Sequence, residues 1–530
     1  MPPRLTLVAA RQTPQRVARS TVLVMGATLV STILGFVREV VNARYFGASG
    51  DMDAFLAAAV VPTILFGVFN GALVSALVPI FSDYLATDRE EDAWRLASTL
   101  IITLAIGLSV AAAIGMVLAP WYIPWIARFH DRRLEEAIVM ARWLMPTIVA
   151  TSLAGIVASL LNAYHRFTAA ALQGFIANIF TVGVVVYAFG RWGIGALVIG
   201  TIAGVFAQLA VQLPAFAGLR RFRFVVDWRH AGVRRLLLIL GPIAIGSAAG
   251  QIGLFFDRYF ASGLSEGSIA GMNYAVKLVG FPQQIFVTAI ATVIFPIFAS
   301  QYAAKHRAAM RRSIATGIKM VFFLTVPSAV GLCMLAGPIV QTLFERGAFS
   351  PEDTVLCASL LPYAAVGLVA LAANVVMTRC LFACGQVRGP IAISVFTMIL
   401  NVALSVALLP HLAARGLLLA NAVSQTFEMF VLAAIAWKML GGFDVREIVA
   451  SFGKVATCSV LMAFSLAVVQ IFRQPPEANL LSRCANLTEH LLFGFAVFFV
   501  AARIVDSSEL SLAMDLLLRR RAAPDMVPLS

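Results

Sequence analysis

The residues best suited to chemistry lie where lipid should be. In GFVREVVNARYFGASGDMDAF, from Gly35 to Phe55, Arg38 and Glu39 sit inside an otherwise apolar helical run, and Asp51 and Asp53 close it. Charge inside a membrane span is costly and by default marks a functional polar cavity. Lys277 falls within a later apolar run, and Asp257 and Arg258 stand near the end of the run before it. Neighbours on a helix point about 100° apart, so Arg38 and Glu39 need not neutralise each other. Lys319, Arg379 and Glu428 are further ionisable groups in apolar runs, whereas Arg44 and Arg258 lie close enough to an interface to snorkel. A structural ion pair or snorkelling is the plainer account of Arg38 and Lys277; a shared cationic cavity is the functional one. Such a cavity suits an anionic substrate, above all a phosphate, which Arg and Lys bind through charge-assisted hydrogen bonds. The sequence holds no phosphate-binding glycine loop, zinc motif, carboxylate pair or nucleophile motif in a water-exposed loop. ATP is therefore not expected as a direct energy source, and no cofactor is expected. Proton or sodium coupling, or the membrane potential, is left to drive movement, a charge crossing 100 mV being worth about 2.3 kcal/mol.

The elements that must position these groups follow from composition. The chain is 60% hydrophobic and 12% charged, too little polar surface for a soluble globule. Runs of about 20 apolar residues span the ~30 Å hydrocarbon core as helices, because a backbone in lipid must bond to itself. Spans are expected at Leu23 to Val41, Ala54 to Leu85, Leu96 to Leu118, Ala137 to Leu161, Ala169 to Phe189 and Ile194 to Ala217. A second set runs Leu236 to Phe260, Ala270 to Phe298, Ile314 to Leu335, Leu356 to Cys380, Ile391 to Leu409 and Gly416 to Trp437, followed by Ile448 to Ile471 and Leu487 to Val505. The fold expected is an all-α integral membrane protein of about 14 transmembrane helices.

The chain also repeats itself. RYFGASGDMDAF returns as DRYFASGLSEGSIAGMNYA from Asp257, and Pro79 of ALVPIFSDYLA matches Pro296 of VIFPIFASQYAA. Two six-helix lobes related by pseudo-twofold symmetry, with two C-terminal helices added, are the consequence. The domain expectation is a basic N-terminus at 1–19, an N-lobe at 20–218, a basic connector at 219–235, a C-lobe at 236–438, two last spans within 448–506 and a tail at 507–530.

The 40 Lys and Arg against 26 Asp and Glu are scattered between apolar runs rather than gathered in one domain. They are an orientation signal, not a nucleic-acid footprint, and place both termini in the cytoplasm of a multi-pass membrane protein. The connector with Arg220, Arg221, Arg223, Arg229, Arg234 and Arg235 is assigned to topology and anionic headgroups, with gathering of an anionic substrate as the alternative. The first apolar run continues into Arg38 without a small-residue cleavage site and is read as a retained helix. The six cysteines show no metal spacing and are read as packing residues.

On GFVREVVNARYFG with the following DAF, VPTILFGVFNGALVSALVPIF, GSIAGMNYAVKL and LFERGAFSPEDT, the chain resembles the MurJ (MviN) family of lipid II flippases, within the superfamily of polysaccharide exporters and multidrug antiporters. The resemblance implies two lobes that alternately open a central cationic cavity, and a groove for a polyprenyl tail on the last two helices. By position it implies substrate contacts at Arg38, Glu39, Asp53 and Lys277, and a candidate cation site, for sodium only, at Asp257, Asn401 and Asn421, with Ser405 where an acid is expected. Thr32, Phe66, Gly67 and Asn70 stand where the family carries arginines and an acid, and YAVK ends in Lys277 where the family has arginine. The implied activity is flipping of an undecaprenyl-diphosphate-linked saccharide, foremost the peptidoglycan precursor lipid II, by a non-enzyme. Export of another lipid-linked oligosaccharide, for capsule or exopolysaccharide, is the alternative, and a non-transporting cell-wall scaffold a third. The partners implied are that lipid-linked substrate, membrane lipids and cell-wall synthesis proteins.

Overall fold

A long apolar run with no water to bond its backbone closes on itself as a helix, and the computed structural model shows that outcome throughout. It describes residues 14–511 apart from 131, 165, 220, 221, 223 and 473–478. The N- and C-terminal ends of the sequence, and Arg220, Arg221 and Arg223 of the connector, therefore lie outside the described residues. Every regular element among those described is helical. Among the described residues, eleven helices are long and apolar enough to cross a membrane, and Leu77–Ala86 and Val293–Ala303 are shorter apolar stretches. The chain divides into two compact units, Met1–Ala270 and Gly271–Ser530.

The first unit contains α1 (Pro14–Phe46), α2 (Gly50–Ala58), α3 (Val60–Ala86), α4 (Glu90–Ile126), α5 (Arg132–Leu144), α6 (Thr147–Ala163), α7 (Phe167–Trp192), α8 (Gly195–Ala210), α9 (Leu213–Ala217) and α10 (Ala231–Ala261). The expected second span, Ala54 to Leu85, arrives as two helices that meet at Ala59. Pro62 explains the break, because it has no N–H to give to the carbonyl four residues back. Pro146 divides α5 from α6 in the same way. The core of the unit packs Leu77, Ile80, Phe81, Trp94, Leu96 and Leu160. Trp94 donates its indole N–H to the Tyr164 hydroxyl at 2.8 Å, and that hydroxyl donates to Glu90 at 2.7 Å, which satisfies the polar tips beside this core. Trp121, Trp125 and Trp192 stand exposed at the ends of α4 and α7, where amphipathic rings belong at a membrane–water boundary.

The second unit holds the bulk of α11 (Ser268–Pro282), a π-helical turn (Gln283–Val287), α12 (Thr288–Ala303), α13 (Arg307–Met334), α14 (Ala336–Phe344), α15 (Pro351–Ala383), α16 (Arg388–Leu412), α17 (Ala414–Leu440), α18 (Val445–Phe472) and α19 (Leu480–Ile504). The internal repeat of the sequence is visible in backbone detail. Asp88 and Lys305, each closing the helix that carries the repeated proline, both take φ of 59°. The turns after α7 and α16 put Gly193 and Ala413 at φ of 49° with ψ of −128° and −131°.

Candidate functional site

Asp53 is the most deeply committed of the expected site residues. Its side chain is buried, and its two oxygens accept the N–H groups of Gly267 at 2.8 Å and Ala270 at 2.7 Å, capping the first turn of α11. Glu266 returns the favour by accepting the Gly50 N–H at the start of α2 at 2.9 Å, and it also pairs with Arg133. The turn is tight: Gly267 has φ of +81°, and a Cβ there would meet the Ala48 carbonyl oxygen at 2.0 Å. Two helices that the sequence relates as repeats thus cap each other's exposed N–H groups, the role Asp and Glu fill at helix starts. Arg258 joins the same turn by donating to the Ile269 carbonyl at 3.2 Å.

Arg38 and Glu39, which helical spacing leaves free to act separately, do meet. The Arg38 guanidinium donates to Glu39 at 2.9 Å, with side-chain exposures of 33% and 7%. A carboxylate this buried needs a partner, and the arginine stem is long enough to fold back across the 100° step. The pair leaves a third of Arg38 accessible, and a guanidinium has donors to spare beyond the one used here.

In the second unit Lys277 lies on the exposed face of α11, and among the described residues it makes no hydrogen bond or ion pair. Asn401 is buried with its carbonyl oxygen unbonded, as is the hydroxyl of Ser405 one turn on. Those two oxygens suit a hard cation, although the acid that would supply charge at 405 is absent. Asn421 is exposed on α17, and Asp257 is half-buried near the end of α10. Among the described residues no cluster of three or more His, Cys, Asp or Glu could hold a metal.

The other ionisable groups separate by surroundings. Lys319 is buried and paired with Glu447 and, at 3.9 Å, with Glu509. Burial would push Glu509 up, but hydrogen bonds from Ser507 and Ser451 and the charge of Lys319 outweigh it and hold the carboxyl below its usual range. The cluster fastens α18 and the segment after α19 to α13, so Lys319 is a structural lock. Glu428 accepts from Ser394 at 2.9 Å, and Arg379 lies 5.7 Å over the Phe295 ring. Sequence reasoning missed Glu489 and His490, in the middle of α19. They line a cavity of about 750 Å³ with Val469, Ala485, Thr488, Leu492 and Phe493, between α18 and α19. An acid beside a histidine in the weakest apolar run was the available signal.

The replaced family positions also have a structural account. A Cβ on Gly67 would fall 2.5 Å from the Gln251 side chain of α10. The place of an expected arginine is taken by a close approach of α3 and α10. Thr32 is half-buried on α1. The Asn70 side chain lies outside the described residues.

The family model for lipid II flippase MurJ matches residues 42–478. The chain belongs to that family. A protein of Rhizobium meliloti (strain 1021) named "Probable lipid II flippase MurJ" is 29% identical over 92% of this chain and 94% of its own length. "Lipid II flippase MurJ" of Burkholderia cenocepacia is 27% identical over 78% of this chain and 82% of its own. Among solved structures, lipid II flippase MurJ in an inward closed conformation superimposes with a TM-score of 0.77 at 22% identity, covering 94% of this chain and all of that one. An inward-facing MATE family multidrug transporter of the MOP superfamily reaches 0.67 at 13% identity, covering 79% and 98%. These likenesses establish a flippase and multidrug-transporter fold, and the family is one of flippases rather than enzymes.

Proposed function

We propose that the chain translocates undecaprenyl-diphosphate-linked saccharide, specifically the peptidoglycan precursor lipid II, across the inner membrane by alternating access. The observation that carries this reading beyond family membership is the accessible cationic pair of positions, Arg38 at 33% side-chain exposure and Lys277 on an open helix face, both within otherwise apolar helices. Cations kept accessible at that depth are expensive unless they meet an anion. A diphosphate offers the bidentate and point-charge contacts that Arg and Lys make. Glu39 sets the direction of the Arg38 guanidinium, and Asp53 holds the turn between α10 and α11 rather than the substrate. The last two helices offer their cavity to the polyprenyl tail. Both termini are cytoplasmic in this reading, and the membrane potential or a sodium or proton gradient resets the cycle.

Arg38→Ala and Lys277→Ala should each abolish rescue of a cell depleted of its own lipid II flippase while membrane levels of the protein stay unchanged. Full growth of either variant removes that residue from the mechanism. The positions occupied by Thr32 and Gly67 favour a second reading, in which the thinner positive lining serves another lipid-linked oligosaccharide. Lipid II accumulating on depletion supports the first reading, and a capsule or exopolysaccharide intermediate the second.

A further inference from the structure

Lys277 is not alone on its face. Seven residues on, two helical turns and about 10 Å along the axis, Gln284 is the second residue of the π-helical turn and is likewise exposed. Other positions around α11 are closed, with Tyr274 and Ala275 at 0% exposure and Leu278 and Val279 buried. Among the described residues Gln284, like Lys277, has no hydrogen-bond partner. An apolar run could satisfy packing here with any aliphatic residue, and a carboxamide presented to lipid would leave a donor pair and an acceptor unmet. The helix also changes winding at this point, directly after Pro282, and π turns interrupting α-helices are frequent at functional sites.

We infer that Gln284 is a specificity-determining contact that reads the saccharide of the substrate while Lys277 holds its diphosphate. This rests on the flippase reading above. The chemistry divides accordingly: an ammonium is a point charge for phosphate oxygens. A neutral carboxamide donates and accepts at once, as sugar hydroxyl and N-acetyl groups require. The separation of about 10 Å along the helix lets one side chain meet the diphosphate while the other meets the saccharide beyond the first ring.

The test is binding of two probes to the purified full-length protein, undecaprenyl diphosphate and lipid II. Wild type should bind lipid II more tightly than the bare diphosphate. Gln284→Leu and Gln284→Met should lose about tenfold in that preference, the effect of about 1.4 kcal/mol of missing hydrogen bonds, with undecaprenyl diphosphate binding as the control for folding. Lys277→Ala should weaken both probes together. A Gln284→Met protein that keeps the full preference overturns the inference and leaves the flippase reading standing. A wild type that binds neither probe overturns the flippase reading, and this inference with it.

Discussion

The two copies of the repeat make the same turns and then diverge where chemistry is concerned. With Pro79 set on Pro296, and Asp88 on Lys305 at the shared φ of 59°, Lys277 falls on Val60 and Gln284 on Gly67. Val60 is 1% exposed and Gly67 is pressed against Gln251, whereas their counterparts are open and polar. One copy has spent this helix face on packing against α10; the other keeps it free. The repeat supplies a scaffold, and the exposed polar pair on this helix face belongs to one copy only. Arg38 is carried by a different helix, α1.

Exchanging the residues between the copies should break the comparison most sharply. Val60→Lys buries an unpaired ammonium and should cost several kcal/mol, seen as loss of folded protein on size-exclusion chromatography. Lys277→Val should keep the thermal midpoint near wild type while abolishing growth in a flippase-depleted cell. Equal stability of the two variants would show that the faces do not differ as described.

Next in size is Asp53→Ala, which leaves two buried N–H groups without acceptors. A loss of about 2–6 kcal/mol is expected from about 1–3 kcal/mol for each unsatisfied group, read as a lowered midpoint in detergent. Asp53→Asn, which keeps one good acceptor, should fall between. No change in midpoint would detach Asp53 from the cap of α11.

The smallest effect is expected at the packed counterpart of Gln284. Gly67→Ala should cost at most about 1 kcal/mol, because the atoms it would meet are the movable end of the Gln251 side chain, and Gln251→Ala in the same chain should remove that cost. A double variant no better than the single would mean that Gln251 is not the obstacle.

Membrane class, helical architecture and the repeat were readable because they are written in short-range pattern: apolar length, the two prolines and the returning RYF. The breaks at Ala59 and Pro146 were also encoded, since proline withholds a specific N–H, but continuous hydropathy hid them inside single spans. The roles of charged groups were less readable. Asp53 bonds groups 214 and 217 positions away, and no local pattern specifies such a cap. Helical spacing alone leaves open whether Arg38 and Glu39 pair, and the flexible arginine side chain is what closes the gap. In sequence Lys319 is one more charge in a span; its partners, Glu447 on α18 and Glu509 beyond α19, come from far along the chain. Lys277 is exposed and, among the described residues, without a partner, which its place in an apolar run does not by itself specify.

The central claim is movement of a lipid-linked diphosphate saccharide from one leaflet to the other, and it is tested most directly in sealed proteoliposomes that hold the purified protein and lipid II. The fraction of lipid II reachable by an impermeant probe outside should rise above the one-leaflet share with wild type and stay at that share with Lys277→Ala. An outer fraction no different from protein-free vesicles, with folded and correctly reconstituted wild type, would contradict the account.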